Sequence, residues 1–506
     1  MSYAIEMNHI TKTFGDVVAN SDISFDVKTN EVHCLLGENG TGKTTLMNVL
    51  FGLHQADSGE VFINGKKSQI KNPKDAFKSG IGMVHQHFML VEQLTVLQNI
   101  ILGKEQGNFF IDYKKARKVV LDLVEKYNFK IDIDAKVSDL SVGIKQRVEI
   151  IKTLYRGADV IILDEPTAVL TPQEVSELFK ILDSLKEDGK TIIFITHKLN
   201  ETMEISDRVT VLRKGKKVIT TETSKVTPEI LAKHMVGRDV KTVVNDHIGE
   251  NAGELSLRVE NLKLLEKSEN DISFSIKAGE IFGIAGVEGN GQLELEEMLV
   301  GLRDVNPDSK ISLLGNDLKE LGIKERKDIG IGYIPSDRHK RAMVESFSIK
   351  ENFLLGYQDL EQFSSSNFIK DAELKTVSEN NINNFNIKLG TMNDAISSLS
   401  GGNQQKVILS REVNMNPDVI IAAQPVRGLD IGAIEFIHKT LIDLKNQGKA
   451  ILLISAELSE VMNMSDRYAV LYEGEFKVVA NKNDLTREQV GLLMAGESIE
   501  KIGGNS

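Results

Sequence analysis

Residues 37–44 read GENGTGKT, a glycine, four variable residues, then Gly42, Lys43 and Thr44. That spacing suits the capture of phosphate. The backbone amides of residues 38–43 can converge on one anion at the start of a helix, where unpaired N–H groups and the helix dipole both favour negative charge. Lys43 would then reach the terminal phosphates of a nucleotide, and the Thr44 hydroxyl would ligate magnesium. Alone, the octet could equally be a glycine turn that caps a helix. Two later segments make it specific: LSVGIKQ at 140–146 and VIILDEPTAVL at 160–170, followed by ITH ending at His197. Asp164 and Glu165 end an apolar run, and an adjacent acidic pair at the end of a buried strand costs too much desolvation to be incidental.

The elements that must position these groups are a strand before the loop and a helix after it. VHCLL at 32–36 reads as the strand, and TTLMNVLFGL carries a helical pattern. Both recur downstream as IFGIA at 281–285 and LELEEMLVGL, around a second octet, GVEGNGQL at 286–293. The two octets lie 249 residues apart, as do DISFDV from Asp22 and DISFSI from Asp271. A repeat of about half the chain means a duplicated domain and not a short solenoid unit. Buried-strand runs follow in both halves, DVIILDEP and TIIFITH, then DVIIAAQP and AILLISAE, separated by helical stretches. The expected fold is α/β, two tandem units with mostly parallel sheets, flanking helices, an antiparallel β part and helical subdomains near 90–139 and 341–396. The domains are read as 3–238 and 256–500, with a linker at 239–255 around the polar run NDHIGENAGE. The terminal GGNS reads as a disordered tail.

Composition narrows the class. Of 506 residues, 41% are hydrophobic and 26% charged, which is ordinary for globular protein, and the net charge of −12 argues against a general nucleic-acid binder. The single cysteine, Cys34, lies in the apolar run before the first loop and cannot form an internal disulfide, which fits a reducing cytosol. MSYAIEMNHITKTF lacks the basic and apolar regions of a signal peptide. No run approaches the ~18 apolar residues of a membrane helix, so work at a membrane requires another subunit to span it.

With these motifs in order, the whole chain resembles the ATPase subunit of an ATP-binding-cassette transporter with two P-loop cassettes fused in tandem. The resemblance implies ATP and Mg2+ as ligands. It assigns the loop residues Gly37, Glu38, Asn39, Gly40, Thr41, Gly42, Lys43, Thr44 and Thr45 to the nucleotide phosphates, and Phe14 to stacking on adenine. Asp164 would hold magnesium through water, with Thr44 and Gln86 also at the metal. Glu165 would be the general base for the attacking water, His197 would contact the γ-phosphate, and Gln86, in MVHQHF, would sense nucleotide and face the membrane subunit. The implied partners are two membrane-spanning permease subunits and, indirectly, an extracellular or periplasmic solute-binding protein, with no nucleic acid and no metal but magnesium. The implied location is the cytoplasmic side of the cell membrane, peripherally attached.

The second half departs from the pattern throughout. Lys43 aligns with Gln292, Thr44 with Leu293, Gln86 with Ser336, Asp164 with Ala423, Glu165 with Gln424 and His197 with Ala456; no aromatic lies between Thr242 and Asp271 to stack a base. The second site is therefore expected not to hydrolyse ATP. Yet LSGGNQQ at 399–405 is an intact signature sequence, whereas LSVGIKQ has Val142 where the family prefers glycine. In the family, cassettes pair head to tail, so the intact loop would face the intact signature. Ser400, Gly401, Gly402 and Asn403 would then clamp the γ-phosphate held by the first loop. Tandem ribosome-acting factors of this superfamily resemble pairs with two intact sites and a long basic linker, and its DNA-repair members carry zinc modules or coiled coils; none of these features is present. AAQPVRGLDIGAIEFIH from Ala422 and MVHQHFMLV resemble the nucleoside-importing branch, while importers of ribose and galactose form the neighbouring alternative.

Overall fold

The computed structural model describes all residues except 1, 87, 106–110, 168, 169, 171, 240–242, 247–252, 366, 367 and 499–506. The GGNS tail, most of the NDHIGENAGE run, His87 and two residues of DEPTAVL lie outside the described residues. Two compact units are formed, Met1–Val240 and Lys241–Ser506.

The first unit is built on a six-stranded sheet. Its order runs Lys216–Glu222, Arg208–Arg213, Val32–Leu36, Thr191–Thr196, Val160–Asp164, Ile81–Val84. All neighbours pair in parallel except the Lys216–Glu222 hairpin at one edge. Every residue of the strands Val32–Leu36, Val160–Asp164 and Thr191–Thr196 is buried. That is why these segments read as continuous apolar runs: helices or a second sheet cover both faces. A four-stranded antiparallel sheet of Val17–Lys28, Tyr3–Phe14, Ser58–Ile63 and Lys66–Ser68 closes one side of the core.

The second unit repeats this plan with its own six-stranded sheet, Ile331–Ile334, Val419–Ala423, Ala450–Ser455, Ile281–Ala285, Arg467–Tyr472 and Glu475–Asn481. Here too only the edge hairpin is antiparallel. In both units the phosphate-type loop leaves the C-terminal end of a central strand, where α/β sheets place their ligands.

One pin is repeated to fix the segment after the first sheet edge. Asn99, fully buried at the start of a helix with a Thr95 capping box, accepts from Val91 N at 2.8 Å and donates to Val91 O at 3.0 Å. Asn352 does the same to Val344, at 2.9 and 3.1 Å, beside a Ser348 capping box. A side-chain amide can satisfy both polar groups of a buried backbone, and this holds the stretch following Gln86 or Ser336 against the helical subdomain.

Part of the stretch between the repeats is fixed in place on the second unit. Asn245 is 1% exposed. Its amide donates to Asn463 O and its Nδ2 to Met464 O, while its Oδ1 accepts from Lys445 Nζ at 2.8 Å. Lys445, equally buried, also pairs with Asp466 at 2.8 Å. In the first unit the corresponding pair, Lys186 and Asp207, has side chains 34% and 40% exposed. The difference is the covering segment at Asn245.

Candidate active site

The first loop is held in shape by residues outside it. Gly42 has φ of 94°, and a Cβ there would lie 2.2 Å from the Ala19 carbonyl oxygen, so only glycine fits. Asn20 Nδ2 donates to Gly42 O at 3.0 Å, and Thr41 Oγ1 donates to Glu38 O at 2.8 Å. The helix Lys43–Phe51 starts directly after this turn. Lys43 is 5% exposed and folds back on the loop, donating to Gly37 O at 2.7 Å and to Glu38 O at 3.0 Å. Burial lowers its ammonium pKa, against the opposing charges of Glu165 and Asp164. Its present acceptors are neutral carbonyls, and phosphate oxygens would add the attraction of opposite charge to each bond.

Asp164 ends the strand Val160–Asp164 and is 5% exposed. Thr44 Oγ1 donates to its Oδ1 at 3.4 Å. Burial raises the Asp164 carboxyl above its ordinary range, with the Glu165 charge adding to this and the Thr44 hydrogen bond opposing it. A buried carboxylate with a hydroxyl beside it is a donor set that suits magnesium, because a hard cation bound through oxygen relieves that desolvation. Among the described residues no group of three His, Cys, Asp or Glu side chains could by itself hold a metal.

Glu165 follows at φ 45°, in the left-handed region, a strain of about 1–3 kcal/mol for a non-glycine residue. Its carboxylate lies between two of the expected partners: His197 Nδ1 is 3.0 Å from Oε1, and Gln86 Nε2 donates to Oε2 at 3.4 Å. Burial raises its pKa, but the His197 hydrogen bond and charge, with Lys43 and Lys198, outweigh this and hold it below the ordinary carboxylate value. The carboxylate is thus ionised at neutral pH. Gln424 keeps the same backbone, at φ 46°, and donates from its amide to Ile454 O as Glu165 does to Ile195 O. The turn is retained where the carboxylate is not.

Phe14 stands apart from this cluster, 44% exposed at the end of strand Tyr3–Phe14. The edge of its ring meets His54, with centroids 5.1 Å apart. Asp57 fixes the approach to it, accepting from Lys12 Nζ at 2.9 Å and from both the amide and hydroxyl of Thr13 at 2.7 Å. These bonds hold the Asp57 carboxyl down to about 2. Asp57, His54 and Asn20 were not foreseen, and no local pattern marks them, since each acts on a residue more than a dozen positions away.

In the second unit Ser400 precedes the helix Gly401–Asn414, yet its hydroxyl makes no cap bond to the helix. Asn403 Nδ2 donates to Ser400 Oγ at 3.0 Å, which leaves the hydroxyl proton available for an acceptor outside. Ser141 also accepts, but from Ile144 N of its own helix at 3.4 Å, as a cap, and Val142 beside it is 41% exposed. Gly402 is required by packing, because a Cβ there would lie 2.8 Å from that of Ala433.

Lys43, Thr44, Gln86, Asp164, Glu165 and His197 are thus brought together around one loop, whereas Ser400, Gly401, Gly402 and Asn403 belong to the other unit. A family model described as ABC transporter matches residues 20–168 and again 269–427. The chain belongs to the ABC transporter family. It is 48% identical to a guanosine import ATP-binding protein of Bacillus subtilis (strain 168), over 99% of both chains. A nucleoside import ATP-binding protein of Lactococcus lactis subsp. cremoris (strain MG1363) is 43% identical, over 98% of this chain and 99% of its own. A ribose import ATP-binding protein of Caldanaerobacter subterraneus subsp. tengcongensis is 38% identical, over 98% of this chain and 100% of its own. As an ABC transporter ATPase the chain binds ATP and hydrolyses it. Among the described residues no helix is long and apolar enough to cross a membrane.

In the second cassette the position of Gln86 has been rewired. Ser336 donates its amide, at 3.3 Å, and its hydroxyl to Glu296 on the loop helix Gln292–Val300. Glu296 is 1% exposed, and burial pushes its carboxyl up to about 7, against the Ser336 bonds and the Arg341 charge. Between its ordinary 4.5 and about 7, folded protein keeps a proton that the unfolded chain has released. Stability from this group is therefore greatest at low pH, falls as pH rises through that window, and is flat above it. Relative to Glu296→Gln, the wild type should lose up to about 3 kcal/mol of unfolding free energy between pH 4.5 and 8. Urea unfolding of both proteins at several pH values checks this, and parallel profiles would show that folding does not raise the Glu296 carboxyl.

Proposed function

We propose that this protein is the ATPase subunit of a nucleoside importer, bound peripherally at the cytoplasmic side of the cell membrane to two permease subunits that receive solute from an external binding protein. The observation that carries the substrate class is the ordering of relatives: two whole-length nucleoside or guanosine import proteins at 48% and 43% identity, against 38% for a ribose import protein. The AAQP segment, with Gln424 where the first cassette has Glu165, supports the same branch.

In this reading cassette 1 spans 3–238, cassette 2 spans 256–500, and 239–255 connects them. Residues 37–45 cradle the phosphates, with Lys43 leaving its loop carbonyls for phosphate oxygen. Phe14 stacks on the base. Thr44 and Asp164, with Gln86, hold magnesium, which when bound neutralises charge on the phosphates. Glu165, kept ionised and oriented by His197, takes the proton of the attacking water, and His197 also faces the γ-phosphate. Ser400 with Gly401, Gly402 and Asn403 forms the signature that clamps a phosphate presented by an intact loop.

A strain lacking this protein should lose uptake of labelled purine or pyrimidine nucleosides at low external concentration and keep uptake of ribose and galactose. Retained nucleoside uptake with lost monosaccharide uptake would move the chain to the sugar branch and leave the ATPase assignment standing.

A further inference from the structure

The second glycine loop is filled by its own side chains. Gln292, standing where the first loop has Lys43, donates from Nε2 to Val287 O at 2.8 Å and accepts at Oε1 from the Asn290 amide at 3.1 Å. Lys43 can only donate, and in its loop the matching amide, Thr41 N, makes a longer 3.3 Å bond to Glu38 O; Gln292 ties both an amide and a carbonyl of its loop to one uncharged side chain. Asn290 tightens the turn further, with Nδ2 donating to Val287 O at 3.0 Å and Oδ1 accepting from Glu473 N at 2.8 Å.

The surroundings of the loop differ as well. Glu288, at the position of Asn39, is ion-paired with Arg427 and so ties the loop to that side chain. The base-stacking position is also changed. Asn306 accepts from Lys263 N at 2.9 Å, the counterpart of Asp57 with Thr13, so Leu264 takes the place of Phe14. Phe14 is 44% exposed, whereas Leu264 is 3% exposed and lies against the loop, with its Cδ1 3.2 Å from where a Cβ on Gly291 would be. At Gly42, the matching glycine, the nearest groups are Ala19 and Asn20 instead. Beyond Leu264, Ser268 Oγ donates to Glu473 O at 3.1 Å and keeps this segment down on the loop.

We infer that the second cassette takes no nucleotide: its loop is a closed turn whose amide, carbonyl and apolar face are satisfied from within, so each chain binds one ATP. This rests on the assignment of the first loop as the ATP site. Its consequence is that the second cassette is a fixed partner, and its signature is available without a nucleotide of its own.

Equilibrium dialysis of labelled ATP with magnesium against the full-length Glu165→Gln protein, in which turnover is blocked, should give one equivalent per chain at saturation. Adding Lys43→Ala should abolish it, with the unfolding midpoint showing that the variant is folded. In parallel, 8-azido-ATP should label peptides from Met1–Val240 alone. Two equivalents, one equivalent that survives Lys43→Ala, or label around Leu264 or Gln292 would overturn the closure and leave the catalytic reading of cassette 1 intact. No bound ATP at all would overturn the assignment of the first loop, and with it the count of one.

Discussion

Glu165→Gln is expected to lower steady-state ATP turnover by about 10²- to 10⁴-fold while ATP still binds. The substitution is nearly isosteric, so the strained turn at φ 45° survives; Gln424 occupies the same conformation at φ 46° in the second cassette. What is removed is the ionised oxygen. Gln86 and His197 both converge on that carboxylate, at 3.4 and 3.0 Å, and the His197 bond and charge keep it deprotonated against its burial. A glutamine there still accepts hydrogen bonds at its carbonyl oxygen but cannot take a proton from water. Gln424→Glu added to Glu165→Gln should restore nothing, since Gln292, Ala423 and Ala456 stand where Lys43, Asp164 and His197 stand in the first cassette. Turnover within about tenfold of wild type in purified Glu165→Gln, measured with its loss of signal in Lys43→Ala as the contamination control, would assign the chemistry elsewhere.

How much of this was legible beforehand depended on whether a residue acts through the chain near it or across the fold. GENGTGKT could be picked out because its glycines serve a local turn, and the strand and helix around it carry their own period. The same holds for DE at the end of an apolar run. Asp57, Asn20 and Glu296 carry no such mark. Asp57 reaches Thr13, 44 positions earlier, and Asn20 reaches Gly42, 22 positions later. Glu296 in LELEEMLV reads as one more exposed helical acid until Ser336, 40 positions on, is seen bonded to it. Asn245 sits in a polar run that reads as a loose connection, yet every polar group of its side chain is bonded within the second cassette. The loss of Lys43 at Gln292 was visible in the sequence; that Gln292 also takes a loop amide was not, because side-chain direction is set by tertiary packing.

Ser400→Arg is expected to reduce ATP hydrolysis by about 10²-fold or more, the cost typical of losing a positioned donor to developing phosphate charge, whereas Ser141→Arg should change it only a few-fold. The two serines occupy equivalent helix starts, and since only Ser141 makes a cap bond, a purely structural role would make Ser141→Arg at least as harmful as Ser400→Arg. Their surroundings differ. Ser141 is held as a helix cap by accepting from Ile144 N, and the half-exposed Val142 follows it, so a phosphate approaching that helix start meets a branched side chain. Ser400 makes no cap bond, is held through its oxygen by Asn403, and is followed by Gly401, so no branched side chain stands at that helix start, where the helix dipole favours an anion. An arginine at 400 fills that approach, and losing the hydroxyl costs the helix no cap bond, because none was present. Ser400→Arg should therefore unfold at a urea midpoint close to wild type, whereas Ser141→Arg gives up its cap bond and should be destabilised by about 1 kcal/mol while remaining folded. If Ser141→Arg and Ser400→Arg lose activity equally with both proteins folded, the intact signature is not the one that serves the intact loop.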